Sequence, residues 1–364
     1  MPLGAWLLAA VAAVIVLLVF VGLMEFGLAV RGFDPTVVDS DLLWLKERER
    51  ADELGNKALI LVGASRIQLD LDLNVLRVST GLEPVQLAVD GGSFIPVLRS
   101  LADDVRVTGT VLIGYQDNDV NSMPPPDRAV RLEAAWLDYE GHVKAPGFAT
   151  IEANLSDSLH YHLRSYADGA RPISSLTVRL FEHSATPQYL VTLADRSRLA
   201  DYQRVTMPNF YYSRVIRNLG EDVPLHEGMS WKELDAEILR KIEAIKPAEK
   251  FAYDENIDRI AYMAKKIKQR GGHVIFIVMP RSAMIKEIDV RRFPRALFWD
   301  DFVKRVAVPT LNVEDYPALA AFQCPDGSHL DYRERPLFSK TLVGTLALDK
   351  KTTQGMGGSS DREY

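Results

Sequence analysis

Apolar residues fall into three patterns along this chain. The first is a block: Leu3 to Met24 is uncharged and dominated by Ala, Val and Leu. As a helix it spans roughly 33 Å at ~1.5 Å per residue, enough for a hydrocarbon core. It is longer than a signal-peptide core, has no basic segment before it, and lacks a small-x-small cleavage site ahead of Glu25. An uncleaved transmembrane anchor over 3–24 is predicted.

The second pattern is short runs of branched residues closed by glycine or proline. Ala58–Val62, Pro84–Val89, Thr110–Ile113, His273–Met279 and Val308–Val313 read as buried strands. The third is helical spacing, in Phe94–Leu101, in Tyr332–Leu348 and most clearly in Asn256–Arg270. There Ile257, Ile260, Ala261, Met263, Ala264 and Ile267 form one stripe, stopped by Gly271-Gly272. Strands alternating with helices predict an α/β domain over 58–348, with right-handed crossovers. The rhythm breaks at Met123-Pro124-Pro125-Pro126. From there to about Lys250, amphipathic stretches (Val130–Tyr139, Leu159–Tyr166, Trp231–Ile245) suggest a helical insertion or lid over 123–250. Residues 25–57 read as a juxtamembrane segment, and the polar 349–364 as a disordered tail.

Composition narrows the function. The 364 residues are 47% hydrophobic and 25% charged, with a net charge of −6, which suits a globular core and disfavours nucleic acid as a partner. One cysteine, Cys324, leaves no internal disulfide and no cysteine-based zinc site. The seven histidines form no metal signature, and no glycine-rich phosphate loop is present, so no cofactor is expected.

Two segments carry the candidate chemistry. In Leu59-Ile60-Leu61-Val62-Gly63-Ala64-Ser65-Arg66 a serine follows a strand at the edge where open α/β sheets bind ligands. The plainer reading of Ser65 is a capping residue in a tight turn. Cys324-Pro325-Asp326-Gly327-Ser328-His329-Leu330-Asp331 places an aspartate three residues before a histidine. A serine hydroxyl needs a base to take its proton, and that base needs a carboxylate to hold its tautomer. Arg66 and Arg281 at the same sheet edge are each read as a substrate contact or as an ion pair with a nearby acid. Phe293-Pro294-Arg295 and Phe298-Trp299-Asp300 are read as a carbohydrate platform or, more simply, as a packed loop.

The order Ser65, Asp326, His329 resembles the SGNH (GDSL-like) hydrolase superfamily, whose first block sets serine after the first strand and whose last block is Asp-x-x-His. Gly63-Ala64-Ser65-Arg66 departs from Gly-Asp-Ser and is similar to variants in membrane-anchored bacterial proteins of polysaccharide O-acetylation. The resemblance covers about Ala58–Asn118 and Asn256–Leu348. It implies a three-layer, flavodoxin-like sandwich with a central, mostly parallel sheet. It also implies catalysis by Ser65, Asp326 and His329, with an oxyanion held by the amides of Ser65 and Gly92 (or Gly91) and by Asn118, Gln116 being an alternative. Its third block, Gly-x-Asn, is stretched here to Gly114-Tyr115-Gln116-Asp117-Asn118. The implied activity is that of an esterase or O-acyltransferase on an envelope or secreted polysaccharide. Such an enzyme takes an acylated carbohydrate or other ester and works beside a membrane-bound acyl donor. A catalytically degenerate binding or assembly subunit of an acylation or export complex is the alternative. The resemblance implies a single-pass protein of the bacterial inner membrane with its domain outside the cytoplasm. Read alone, Arg31, Lys46, Arg48 and Arg50 after the anchor favour the cytoplasmic side.

Overall fold

A computed structural model describes residues 3–122, 127–142, 155–156, 158–166, 176, 179, 181, 188–220 and 229–357. The chain divides into two compact units, one of residues 1–39 and 143–194, the other of 40–142 and 195–364.

In the first unit, helix α1 (Leu3–Val30) runs past the expected end at Met24. Its segment Gly4–Val30 is long and apolar enough to cross a membrane. The carboxylate of Glu25 accepts the amides of Arg164 and Ser165, each at 2.8 Å, so the helix ends in polar protein contacts. The Thr192 amide donates to Thr36 Oγ1 at 3.0 Å, and Val37 donates to the Thr192 carbonyl at 3.0 Å.

The second unit is an α/β fold. Helix α2 (Asp41–Leu54) leads into β1 (Ala58–Val62), α3 (Ser65–Asp70), α4 (Leu73–Thr80) and β2 (Glu83–Gln86). Then come α5 (Phe94–Asp103), β3 (Thr110–Tyr115), α6 (Asp117–Val120) and α7 (Arg128–His142). Next are α8 (Met207–Leu219), α9 (Trp231–Glu243), α10 (Tyr253–Gln269) and β4 (His273–Val278). The chain continues through α11 (Ala283–Arg292), α12 (Trp299–Val306), β5 (Thr310–Asn312), α13 (Pro317–Ala320) and α14 (Arg335–Gly357). The five strands lie in the order β2-β1-β3-β4-β5, all parallel, with Val62 opposite Ile113 and Ile113 opposite Phe276.

Alternation along the strands makes three layers. Ile60, Val62, Val111, Ile113, Val274 and Phe276 face a core shared with α2, α5, α7, α10 and α12. Leu59, Leu61, Leu112, Ile275, Ile277 and Leu311 face the opposite core, with α3, α4 and α14. Because both faces are covered, the strands read in the sequence as continuous apolar runs.

The α/β unit begins at Ser40, ahead of the expected Ala58. Ser40 Oγ caps α2 by accepting the Leu43 amide at 3.1 Å, and Trp44 Nε1 donates to the Leu87 carbonyl at 3.0 Å. Arg48 on the same helix is fully buried, paired with Asp52 and, at 2.8 Å, with Asp104. The region read as an insertion also divides: 143–194 belongs to the first unit and the rest to the second. There α8 and α9 pack on α11 through Val215, Leu234, Ile238, Ile242, Ile285 and Ile288. The closing helix α14 extends through Gly357, into the stretch read as a tail; residues 358–364 lie outside the described residues.

Candidate active site

The strand order places the connections of β1 and β3 on opposite sides, and crevices open at such a switch point. Ser65 stands there as the first residue of α3. Its position depends on a close approach: a Cβ on Gly63 would sit 2.8 Å from Ile67 Cγ1, and Gly63 has φ +147°, a region that side chains disfavour. After Ser65 the chain forms two short helices, broken at Leu71, with Asp72 capping α4 through the Val75 amide at 2.9 Å.

The histidine loop is held from both sides. Cys324 donates its amide to Ser282 Oγ at 2.8 Å, and Ser282 donates its own to the Gly327 carbonyl at 2.9 Å. Leu330 donates to Asp70 Oδ1 at 2.9 Å. Gly327 has φ +81°, and a Cβ there would meet Ile285 Cγ1 at 2.5 Å. The loop is therefore fixed to the end of α3 and to the start of α11.

These constraints bring Ser65, His329 and Asp326 into one hydrogen-bonded chain. Ser65 Oγ lies 2.8 Å from His329 Nε2, and His329 Nδ1 lies 2.8 Å from Asp326 Oδ2. Asp326 Oδ1 accepts the amides of Ser328 at 2.9 Å and His329 at 2.8 Å. Ser65 is half-buried, while Asp326 and His329 are buried.

Electrostatics match that order. Burial by itself would raise the Asp326 carboxyl, but the His329 hydrogen bond and charge, the Ser328 amide and the Arg214 guanidinium together hold it well below the usual carboxylate range. Burial lowers His329 below 6.5, against the opposing pull of Asp326, with Arg214 and Arg66 adding to the lowering. The imidazole is thus kept neutral, the form that accepts a proton. Burial pushes the Cys324 thiol up and leaves it protonated.

Three neighbours carry no motif in the sequence. Arg214, on α8, places its Nε 3.6 Å from Asp326 Oδ2. The Tyr202 phenol is held neutral by burial and then by the nearby Asp326 charge. Asp70 is fully buried, and burial raises its carboxyl well above the ordinary range. The sequence offers no local signal for Arg214 and Tyr202, because each meets Asp326 across more than a hundred residues. Asp70 reads as a polar face of α3, yet Gln68 and Asp70 are both fully buried.

The oxyanion candidates are not gathered in the same way. The Ser65 amide is the first of α3 and has no intrahelical partner. The Gly92 amide instead donates to the Val89 carbonyl at 3.0 Å, closing a turn. Gly91, at φ +67°, occupies that turn. Asn118 is exposed on α6. It lines a cleft of about 320 Å³ with Gln116, Asp117, Arg66 and Arg281.

Arg66 has the ion pair expected of it, 3.7 Å from Asp289, and also donates to Ser328 Oγ from Nε at 3.2 Å and Nη2 at 3.0 Å. Arg281 pairs with Asp289 at 3.3 Å and Glu314 at 3.4 Å. Phe298 and Trp299 are buried in the core, Trp299 4.9 Å from the Tyr115 ring, so the aromatic segment packs inward. Among the described residues no group of three or more His, Cys, Asp or Glu side chains is placed to hold a metal ion.

No family model matches the chain, and a search of curated proteins finds no match.

Proposed function

We propose that the chain is a membrane-anchored serine esterase or O-acyltransferase resembling the SGNH superfamily. The observation that carries this reading is the unbroken Ser65–His329–Asp326 hydrogen-bonded chain at the sheet edge. Ser65 Oγ attacks an ester carbonyl carbon as its proton passes to His329 Nε2. The tetrahedral intermediate collapses, the C–O bond to the alcohol breaks, and that alcohol leaves with the proton from His329. The acyl-serine is then attacked by water or by a sugar hydroxyl, again deprotonated by His329, which restores Ser65. Asp326 orients the imidazole and stabilises its cation. The first amide of α3 is the proposed oxyanion donor, with Asn118 or Gln116 approaching once substrate is bound.

The substrate class we propose is an acyl ester on an envelope or secreted polysaccharide. The domain would face away from the cytoplasm, anchored by α1 beside a membrane-bound acyl donor. A second reading, a degenerate binding subunit of such a complex, is favoured by one observation: the Gly92 amide is committed to Val89. Losing one oxyanion donor costs about 3–4 kcal/mol of barrier.

Labelling of the detergent-solubilised chain by a fluorophosphonate separates the two. The acyl-transfer reading expects labelling of the wild type that disappears in Ser65→Ala and falls at least a hundred-fold in rate in His329→Ala. A folded wild type that takes no label leaves the binding-subunit reading in its place.

A further inference from the structure

The cleft beside Arg66 is charged in a way that acyl transfer alone does not require. It measures about 320 Å³, within the range of small-ligand sites. Its charged lining is Arg66, Arg217, Arg281 and Arg292 against Asp117 and Asp289, four cations and two carboxylates. In a chain of net charge −6 this is a local excess of positive charge.

The six groups divide by what already holds them. Asp289 lies between Arg66 and Arg281, at 3.7 and 3.3 Å, so one carboxylate serves two guanidinium groups. Glu314 adds a partner for Arg281 at 3.4 Å from outside the lining. Arg292 donates to the carbonyls of Asn218 at 3.0 and 3.1 Å and of Leu219 at 3.2 Å, closing the end of α8 without neutralising its charge. Asp117 accepts the Tyr115 hydroxyl at 2.8 Å. The Arg217 side chain is exposed and makes no hydrogen bond or ion pair among the described residues.

We propose that this cleft is an anion subsite, which binds the carboxylate or phosphate group of a sugar whose neighbouring ester reaches Ser65. The assignment of the ester to Ser65 rests on the acyl-transfer reading; anion binding in the cleft does not. Guanidinium forks match carboxylate and phosphate oxygens in pairs, and the partial burial of Arg66 and Arg281 reduces screening by water. A neutral sugar would leave the positive excess uncompensated.

The test uses the full-length Ser65→Ala protein in detergent, which binds without turnover, and titration calorimetry with four probes. These are methyl β-D-glucuronide, its neutral counterpart methyl β-D-glucoside, glucose 1-phosphate and inorganic phosphate. The expected result is that the glucuronide or glucose 1-phosphate binds at least ten-fold more tightly than the glucoside, and which of the two does so identifies the anion as carboxylate or phosphate. Adding Arg217→Gln should weaken the preferred anion roughly ten-fold while the melting temperature stays unchanged. Asp117→Asn, which keeps an acceptor for Tyr115 and removes a negative charge, should tighten it. Failure of both glucuronide and glucose 1-phosphate to bind more tightly than the glucoside, or inorganic phosphate binding as tightly as the preferred sugar anion, would overturn the subsite. Indifference of the preferred anion to both Arg217→Gln and Asp117→Asn would overturn it equally. Retained anion binding in a chain that takes no fluorophosphonate would remove the triad reading and leave the cleft standing.

Discussion

His329 is faced by Ser65 and Asp326 through hydrogen bonds and by the charges of Arg214 and Arg66. In the acyl-transfer reading its proton affinity therefore sets the pH at which Ser65 would be activated. The imidazole must be neutral to accept the serine proton. Because burial and the two arginines lower it below 6.5, fluorophosphonate labelling should fall as pH drops, with its midpoint below 6.5. Arg214 repels the imidazolium and also draws on Asp326 Oδ2 at 3.6 Å. Arg214→Gln should accordingly move the acid limb of the labelling profile to higher pH. A purely structural role would lower labelling at every pH and leave the midpoint in place, so the rate–pH curve separates the two.

At the scale of elements, the α3 terminus ties the helix that carries Ser65 to the histidine loop through a carboxyl that is costly to ionise. Asp70 Oδ1 accepts the Leu330 amide at 2.9 Å, while Oδ2 is buried without a hydrogen-bond partner. With a folded pKa raised by burial, the native state binds the proton more tightly than the unfolded chain. Stability from this group is complete below the unfolded value of roughly 4 and is lost as pH rises towards the folded value, by at most about 1.4 kcal/mol per pH unit. Asp70→Asn keeps the acceptor for Leu330 and abolishes the ionisation. Thermal melts should show the variant gaining on the wild type as pH rises above about 5. Parallel melting curves across pH would refute the ionisation argument. Such an element-level tie is hidden from the sequence, where Asp70 is one polar residue in an alternating stretch, while Gly63-Ala64-Ser65 stands out because a glycine closes an apolar run.

At the scale of the molecule, the two units differ in what surrounds their apolar surface. The α/β unit covers both faces of its sheet, whereas α1 carries Leu7, Leu8, Val14, Leu17, Leu18 and Phe20 exposed. A single helix of this length with that surface partitions into a bilayer, at a gain that a mid-helix lysine reverses by about 2.5–3.5 kcal/mol per residue. The full chain should remain in the membrane pellet after alkaline carbonate extraction. The double variant Val14→Lys, Leu18→Lys should move it to the supernatant. Carbonate release of the wild type would contradict a spanning helix.

Local chemistry in the chain determined the apolar block of α1, the five buried strands, the strand-end serine and, separately, the Asp326-x-x-His329 loop. Each depends on residues within a few positions of one another: an uncharged run, a branched run closed by glycine, a loop one turn long. Tertiary structure decided the rest. Arg214 reaches Asp326 because α8 packs on α11 through a separate apolar cluster, and α2 joins the sheet because Trp44 and Arg48 find partners at Leu87 and Asp104. The Gly92 amide closes onto Val89 in a turn shaped by its neighbours. Contacts of this kind join residues far apart in the chain, or turn on a backbone angle, and neither periodicity nor motif spacing carries that information.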